Sequence, residues 1–207
     1  MKFQVSAKDK KTLCKQAPEF REVVRRIELD GFECNGDLFH ALVQSIISQQ
    51  LSIKAADTIY NRVEQLLGTI TAENLKSAAV EELRACGLSA RKIEYLRGIT
   101  DAVLSGRIDF DALARLPDEE IMKELVKLKG VGEWTAEMLL IFALGRPDVL
   151  SFKDLGIRRG IMLLNKLEEL TEEDFEVYRK RYSPYGTLAS LYLWRIKDGG
   201  LSIPSRS

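Results

Sequence analysis

The 207-residue sequence predicts an all-α protein. Apolar residues recur at helical spacing in one segment after another, and Gly, Pro or charged residues separate the segments. The alternating apolar and polar pattern of strands is nearly absent. With 45% hydrophobic and 30% charged residues, the composition is that of an ordinary soluble protein. A chain of this length suits one domain or two closely packed lobes.

In the first half of the chain, each predicted helix has an apolar face and a clear stop. Pro18 to Ile27 is the first, and Asp30-Gly31 then breaks the pattern. The following helices are predicted over Asp37–Gln50, Ser52–Leu67, Val80–Ala85 and Ala90–Leu104.

In the second half, Pro117 precedes an acidic first turn, which is favourable at a helix N-terminus. Further helices are predicted over Trp134–Leu144, from Asp154 onward, over Glu172–Arg181 and over Pro184–Lys197. The total is about ten helices. Residues 198–207 show no periodic pattern and are expected to form a loose tail.

The chain is organised around the stretch from Glu124 to Gly160. A run of apolar residues at helical spacing ends at Gly130-Val131-Gly132, and a second run begins at Trp134. Glycines allow close backbone approach, and the amides of Val131 and Gly132 precede a helix whose dipole is positive at this end. The pattern L-x-G-V-G-x-x-T-A therefore predicts a helical hairpin that binds an anion such as a phosphate.

Asp154 follows the hairpin by about twenty residues, in the sequence D-L-G-I-R-R-G. It is a good N-cap for a helix with Ile157, Ile161 and Leu164 on one face. Taken alone, a Gly-Val-Gly is more often a plain turn and an Asp at a helix start is usually only a cap. In this order and at this spacing, the two are far more specific.

Together these motifs resemble the helix-hairpin-helix–Gly/Pro-Asp superfamily of endonuclease III-like DNA glycosylases, and more narrowly the 3-methyladenine DNA glycosylase II family. The resemblance covers roughly residues 17–197. It implies one glycosylase unit, 1–207, in the compact form without an N-terminal β domain. It further implies two helical lobes with a DNA cleft between them. The middle lobe would span about 36–145, including the hairpin 118–145, and the second lobe 1–35 with 146–197.

The resemblance also implies the residues of the site. Asp154 would be catalytic, and Trp134, Met138 and Tyr182 would line the base pocket. The residues implied to bind DNA are Gly130, Val131, Gly132, Lys129, Arg158, Gln49, Gln50 and Leu51.

Ser45 to Ser52 is similar to the family segment that enters the minor groove, with Gln50 at the position that fills the gap left by a flipped base. Leu51 is the other candidate for that gap. The alternative is a helix-to-helix turn capped by Gln49. Gly87 to Leu96 resembles another family segment. Its two cationic side chains, Arg91 and Lys92, either contact a phosphate or have a structural packing role.

Trp134 separates two classes of glycosylase. Relatives that also cut the DNA backbone carry a lysine there, whose amine forms a Schiff base with the sugar. Tryptophan has no such amine, so a monofunctional enzyme is expected. Its indole face instead suits cationic alkylated purines. A segment near the C-terminus, Arg181 to Ala189, also resembles the family. In it, Tyr182 replaces the family's usual tryptophan and Gly186 replaces a common arginine.

Lysine and arginine together number 31, as do aspartate and glutamate, so phosphate binding must be local. The cations near the hairpin and Asp154 are Lys127, Lys129, Arg146, Lys153, Arg158 and Arg159. By resemblance, the carbonyls of Val126, Leu128 and Val131 would hold a monovalent Na or K ion. No other cofactor is expected. The widely spaced Cys14, Cys34 and Cys86 suit no iron–sulfur cluster.

The expected function is excision of 3-methyladenine or 7-methylguanine from double-stranded DNA by a monomeric repair enzyme. No segment resembles a membrane span or a signal peptide, so an intracellular protein is expected, cytoplasmic and nucleoid-associated in a prokaryote. The alternatives are a non-catalytic hairpin DNA-binding protein, a glycosylase for hypoxanthine, ethenoadenine or uracil, and a partner-binding helical scaffold.

Overall fold

The computed structural model describes residues 2–34 and 36–200 and confirms an all-α protein. In chain order, the described residues form β1 Lys2–Phe3, α1 Ala7–Gln16, α2 Phe20–Arg26, β2 Phe32–Glu33, α3 Leu38–Ser48, α4 Ile53–Leu67, α5 Ala72–Ser77, α6 Val80–Ala85, α7 Ala90–Leu104, α8 Phe110–Leu113, α9 Asp118–Leu125, α10 Glu133–Phe142, α11 Leu155–Asn165, α12 Glu172–Tyr182 and α13 Gly186–Arg195. A π-helical turn, Ile196–Gly200, follows α13 and includes the first residues of the expected tail. The rest of that tail lies outside the described residues.

The chain divides into two units: Met1–Cys34 with Leu140–Ser207, and Asn35–Leu139. The division falls within α10. We call these the first unit and the second unit.

Most of the described helices begin at a side chain that accepts a hydrogen bond from the backbone N–H three residues later. The N-cap residues that do so are Ser6, Asp37, Ser52, Thr71, Ser89, Asp109, Asp154 and Thr171. Each such cap stabilises its helix by about 1 kcal/mol. Helix starts are therefore set locally, which is why several predicted boundaries agree with the structure.

Three helices and two short strands were not predicted. Helix α1 begins with a capping box, in which Ser6 and Asp9 exchange hydrogen bonds, but Leu13 is its one fully buried residue. Helices α5 and α8 are too short to show an apolar period. The two strands pair only through Lys2 with Glu33 and Phe3 with Phe32. The pairing depends on residues about thirty positions apart, which no local pattern reveals.

In the first unit, aromatic side chains of α2, α12 and α13 meet in the core. The Phe20 ring meets Tyr182 edge-on at 5.0 Å between centroids and lies 6.2 Å from Tyr192. Helix α11 packs closely on α13, and Gly160 and Leu193 are both buried at that contact. This packing fixes the helix that begins after Asp154.

In the second unit, α3 packs against α4 and α7. The shared core contains the buried side chains Leu42, Val43, Ile46, Ile47, Val63 and Leu96. Arg97 on α7 donates to the carbonyl oxygen of Leu75 at 2.7 Å and so ties α5 to α7. None of the described helices is long and apolar enough to cross a membrane.

Candidate active site and DNA interface

The predicted hairpin is present: α9 ends at Leu125, and α10 begins at Glu133. Gly130 adopts φ +90°, which other residues rarely adopt. A Cβ at Gly130 would lie 2.3 Å from the Tyr95 ring. The glycine at position 130 is therefore required by the fold itself.

Gly132 has a different role in the turn. Its carbonyl accepts from Ala136 N–H at 3.0 Å, so the helical hydrogen bonds of α10 begin here. A Cβ on Gly132 would meet no atom within 4 Å. The first amides of a helix point away from it, at the positive end of its dipole. An open backbone at this place suits the close approach of a phosphate.

The segment between α3 and α4 is attached to the hairpin turn. Gln49 donates from Nε2 to the Gly130 carbonyl oxygen at 2.9 Å. Lys92 donates from Nζ to the carbonyl oxygens of Ile47 and Gln49, each at 2.7 Å. Burial lowers the pKa of Lys92 from its ordinary value. The sequence allows two roles for Lys92, phosphate contact or packing. In the structure it caps the C-terminal end of α3.

Gln50 and Leu51 stand at the tip of this attached segment. Gln50 is exposed and adopts φ +58°, an uncommon value for a residue other than glycine. The Leu51 side chain is 38% exposed, and nearby Ile53 is 83% exposed. Gln50 and Leu51, the two candidates for filling the gap in a base stack, are thus exposed. The residues just before them are held in place by the hydrogen bonds of Gln49 and Lys92.

Asp154 is the N-cap of α11, as its sequence context predicts. Its Oδ1 accepts from Ile157 N–H at 2.8 Å and from the Trp194 indole Nε1–H at 3.0 Å. The residue is only 9% exposed. The backbone contact follows from the sequence, whereas the contact with Trp194 does not, because Trp194 is forty residues away in the chain.

The loop that leads to Asp154 is anchored to α13. Thr187 donates from its backbone N–H to the Pro147 carbonyl at 3.0 Å and from Oγ1 to the Arg146 carbonyl at 2.6 Å. Ser190 Oγ donates to the Val149 carbonyl at 2.9 Å. These hydrogen bonds hold the backbone of residues 146–149 in place. The chain that leads to the Asp154 carboxylate is therefore fixed.

Trp134 and Met138 lie one turn apart on α10, on the same side of the helix. Trp134 is 44% exposed and Met138 is half-buried. An exposed indole face can stack on a base or bind a cation.

Tyr182 requires a correction. It was expected to line the base pocket, but its side chain is fully buried in the core of the first unit. Phe20 covers the ring, and the hydroxyl donates to Glu19 at 3.4 Å. Burial raises the pKa of the Tyr182 phenol, which stays protonated. It is therefore a structural residue, with no surface for a base.

The expected phosphate-binding cations have protein partners. Lys129 pairs with Glu94, and Lys127 pairs with Glu124 at 2.6 Å. The Arg158 guanidinium lies 5.0 Å from the centroid of the Phe152 ring. The two lysine pairs are exposed, and exposed ion pairs contribute little to stability, so a phosphate can replace a carboxylate partner.

The backbone oxygens expected to hold a monovalent cation lie in the hairpin turn. Leu128 O already accepts from Val131 N–H at 3.0 Å, but a carbonyl oxygen has a second lone pair. Oxygen donors suit an alkali-metal ion, so the donor set fits. Among the described residues, no group of three or more His, Cys, Asp or Glu side chains could hold a metal ion.

Comparison with protein families places this geometry among known proteins. Residues 43–184 match the model of the HhH-GPD superfamily of base excision DNA repair proteins. The chain is 39% identical over 162 residues to DNA-3-methyladenine glycosylase 1 of Schizosaccharomyces pombe, covering 76% of this chain and 71% of that protein. It is 30% identical over 167 residues to a putative DNA-3-methyladenine glycosylase of Bacillus subtilis, covering 76% of this chain but 58% of that protein.

Solved structures agree with these sequence matches. A DNA-3-methyladenine glycosidase from Bacillus halodurans superposes with a TM-score of 0.82 at 39% identity, covering 95% of this chain and 92% of that chain. The Schizosaccharomyces pombe 3-methyladenine DNA glycosylase in complex with abasic DNA gives a TM-score of 0.77 at 32% identity, covering 97% of this chain and 100% of that chain.

Proposed function

This chain belongs to the HhH-GPD superfamily of base excision DNA repair proteins, and on that premise we propose that it is a monofunctional DNA glycosylase. Its substrates are alkylated purines of the 3-methyladenine and 7-methylguanine type in double-stranded DNA. It acts as a monomer inside the cell and requires no organic cofactor. Relatives named for 3-methyladenine excision support this substrate class.

The observation that carries the proposal is the burial and hydrogen bonding of the Asp154 side chain. A carboxylate that is 9% exposed and accepts two N–H donors on one oxygen is held in a single orientation. A cap alone needs only the Ile157 contact. A fixed negative charge is what an oxocarbenium-like sugar requires.

The reaction follows from this charge. The bond between C1′ and the purine nitrogen breaks, and its electron pair leaves with the base. A cationic alkylated base departs as a neutral molecule, so it needs little help from an acid. The positive charge that develops on the sugar is stabilised by Asp154, and water then adds its oxygen to C1′ and releases a proton. The product is an abasic site.

Trp134 supports the monofunctional assignment and the preference for cationic bases. An indole cannot form a Schiff base, so water is the nucleophile. A cation placed over the exposed Trp134 face gains roughly 0.5–2 kcal/mol. Met138, one turn away, adds a soft apolar contact.

The anchoring of DNA is assigned to the hairpin. The amides of Val131 and Gly132 bind one phosphate, and the cationic side chains Lys129 and Arg158 bind other phosphates. We propose that the carbonyls of Val126, Leu128 and Val131 hold a monovalent cation that adds positive charge at this turn. DNA affinity should then be higher in potassium chloride than in choline chloride at equal ionic strength. Equal affinity in the two salts would exclude the cation.

The test of the function is release of the lesion base from methylated duplex DNA by the wild type and by Asp154→Asn. Asparagine keeps the size of the side chain and still caps a helix. The variant should keep its melting temperature and its affinity for an abasic-site analogue, and should excise 7-methylguanine at least about tenfold more slowly. Wild-type single-turnover rates in the variant would make Asp154 only a cap. No release by the wild type would favour a non-catalytic DNA-binding protein.

A further inference from the structure

Trp194 lies beside the carboxylate that the proposed function makes catalytic. Its indole Nε1–H donates to Asp154 Oδ1 at 3.0 Å, and Ile157 N–H donates to the same oxygen at 2.8 Å. The backbone donor comes with the N-cap position itself. The indole donor comes from α13, which is forty residues further along the chain, so it is an additional feature of this site.

The indole is held from a second direction by Phe142. The Phe142 and Trp194 rings are stacked, with centroids 5.8 Å apart and planes 21° from parallel. Phe142 in turn packs against Phe32 at 5.2 Å between centroids. A ring that is stacked on one neighbour and hydrogen-bonded to another has little rotamer freedom. The N–H therefore points at Asp154 before any substrate arrives.

Two glycines one turn apart on α11 make room for this arrangement. A Cβ at Gly160 would lie 2.6 Å from the Leu193 carbonyl oxygen, so only glycine allows the backbone of α13 this close. A Cβ at Gly156 would lie 2.8 Å from Trp194 Cδ1 and 3.0 Å from Asp154 Oδ1. The glycines of D-L-G-I-R-R-G thus bring α13 near and leave space for the indole edge.

We propose that Trp194 is a positioning residue for the glycosylase reaction, holding the Asp154 carboxylate in one orientation. This inference rests on the proposed function, because it assumes that Asp154 stabilises the sugar cation. In this role Trp194 acts through Asp154. Gly156 and Gly160 contribute by admitting the indole and the backbone of α13.

The first variant is Trp194→Phe, which keeps an aromatic ring to stack on Phe142 and removes the N–H donor. Single-turnover excision of 7-methylguanine should slow about tenfold, the rate equivalent of one hydrogen bond to a charged group. Affinity for duplex DNA with an abasic-site analogue should be unchanged, as should the melting temperature. In the Asp154→Asn background the same substitution should have almost no effect, because both act on one carboxylate.

The second variant is Gly156→Ala, whose Cβ would lie against both Trp194 Cδ1 and Asp154 Oδ1 and so disturbs the contact between these two side chains. It should slow excision with unchanged DNA affinity, as Trp194→Phe does. Its matched control is Gly98→Ala in α7, where a Cβ would meet no atom within 4 Å and the wild-type rate is expected. If Trp194→Phe does not fold, Trp194→His, which keeps a ring nitrogen donor, takes its place and should excise faster than Trp194→Leu, which has none; equal rates in the two would overturn the inference.

Two results would overturn the inference: a wild-type rate in Trp194→Phe, or an equal slowing by that substitution with and without the Asp154 carboxylate. An excision rate in Gly156→Ala equal to that in Gly98→Ala would also overturn the inference. A wild-type rate in Asp154→Asn itself is a different outcome, since it removes the catalytic assignment of the proposed function.

Discussion

The side-chain amide of Gln49 donates to the carbonyl oxygen of Gly130 across 2.9 Å. The two residues belong to different motifs of the sequence, one to the segment that resembles a minor-groove probe and the other to the phosphate-binding turn. They are 81 positions apart in the chain. The bond keeps the exposed Gln50 and Leu51 at a constant distance from the hairpin. An enzyme that fills a base stack and grips a phosphate at once needs such a constant distance.

Gln49→Glu tests this connection. The substitution keeps the length of the side chain but places a carboxylate oxygen where the amide donor faces the Gly130 carbonyl. The free energy of unfolding, measured by urea denaturation, should fall by about 1–3 kcal/mol, because two acceptors then face each other. Gln44→Glu is the matched control, since Gln44 is exposed on α3 and the change in charge is the same. Equal losses in the two variants would refute the connection.

The two glycines of the hairpin turn should respond differently to alanine. Gly132→Ala should remain folded, because its Cβ enters open space, and should weaken binding to damaged and undamaged DNA alike by about tenfold. Gly130→Ala should instead lose at least about 1 kcal/mol of stability, because of its positive φ and the Tyr95 ring. Fluorescence anisotropy on labelled duplexes and thermal melting separate the two effects. Unchanged DNA affinity with slower excision in Gly132→Ala would show that the hairpin is not the anchor.

Trp134 predicts the absence of a covalent intermediate. Sodium borohydride should trap no enzyme–DNA adduct during excision of 7-methylguanine, because no amine stands at this position. A glycosylase with the Schiff-base lysine serves as the positive control on its own lesion. An adduct formed at the rate of excision, on any lysine of the chain, would contradict the monofunctional assignment.

Local features were predictable from the sequence because their causes are local. Helices α6 and α7 begin and end at the predicted residues, Val80–Ala85 and Ala90–Leu104. In α7 the boundary depends on the Ser89 cap and on an apolar period within fifteen residues. The Asp154 cap follows from the same kind of rule, since its backbone donor, Ile157, is three residues away.

Residues with distant partners were the ones that the sequence left open. Tyr182 could have been a pocket aromatic or a core aromatic, because both give the same helical spacing. Its contact with Phe20 on α2, far away in the chain, buries it. Gln49 was similarly open between DNA contact and capping, and the structure bonds its amide to Gly130.

The sequence by itself determined the all-α class, the hairpin turn and an aspartate at the start of a helix, since spacing, glycine and capping act within one or two helical turns. Tertiary structure decided which groups surround that aspartate. Trp194 reaches Asp154 only because α13 packs against the glycines of α11. A hydrogen bond between residues forty positions apart depends on how two helices approach each other. That approach is set by the packing of the described side chains of the first unit.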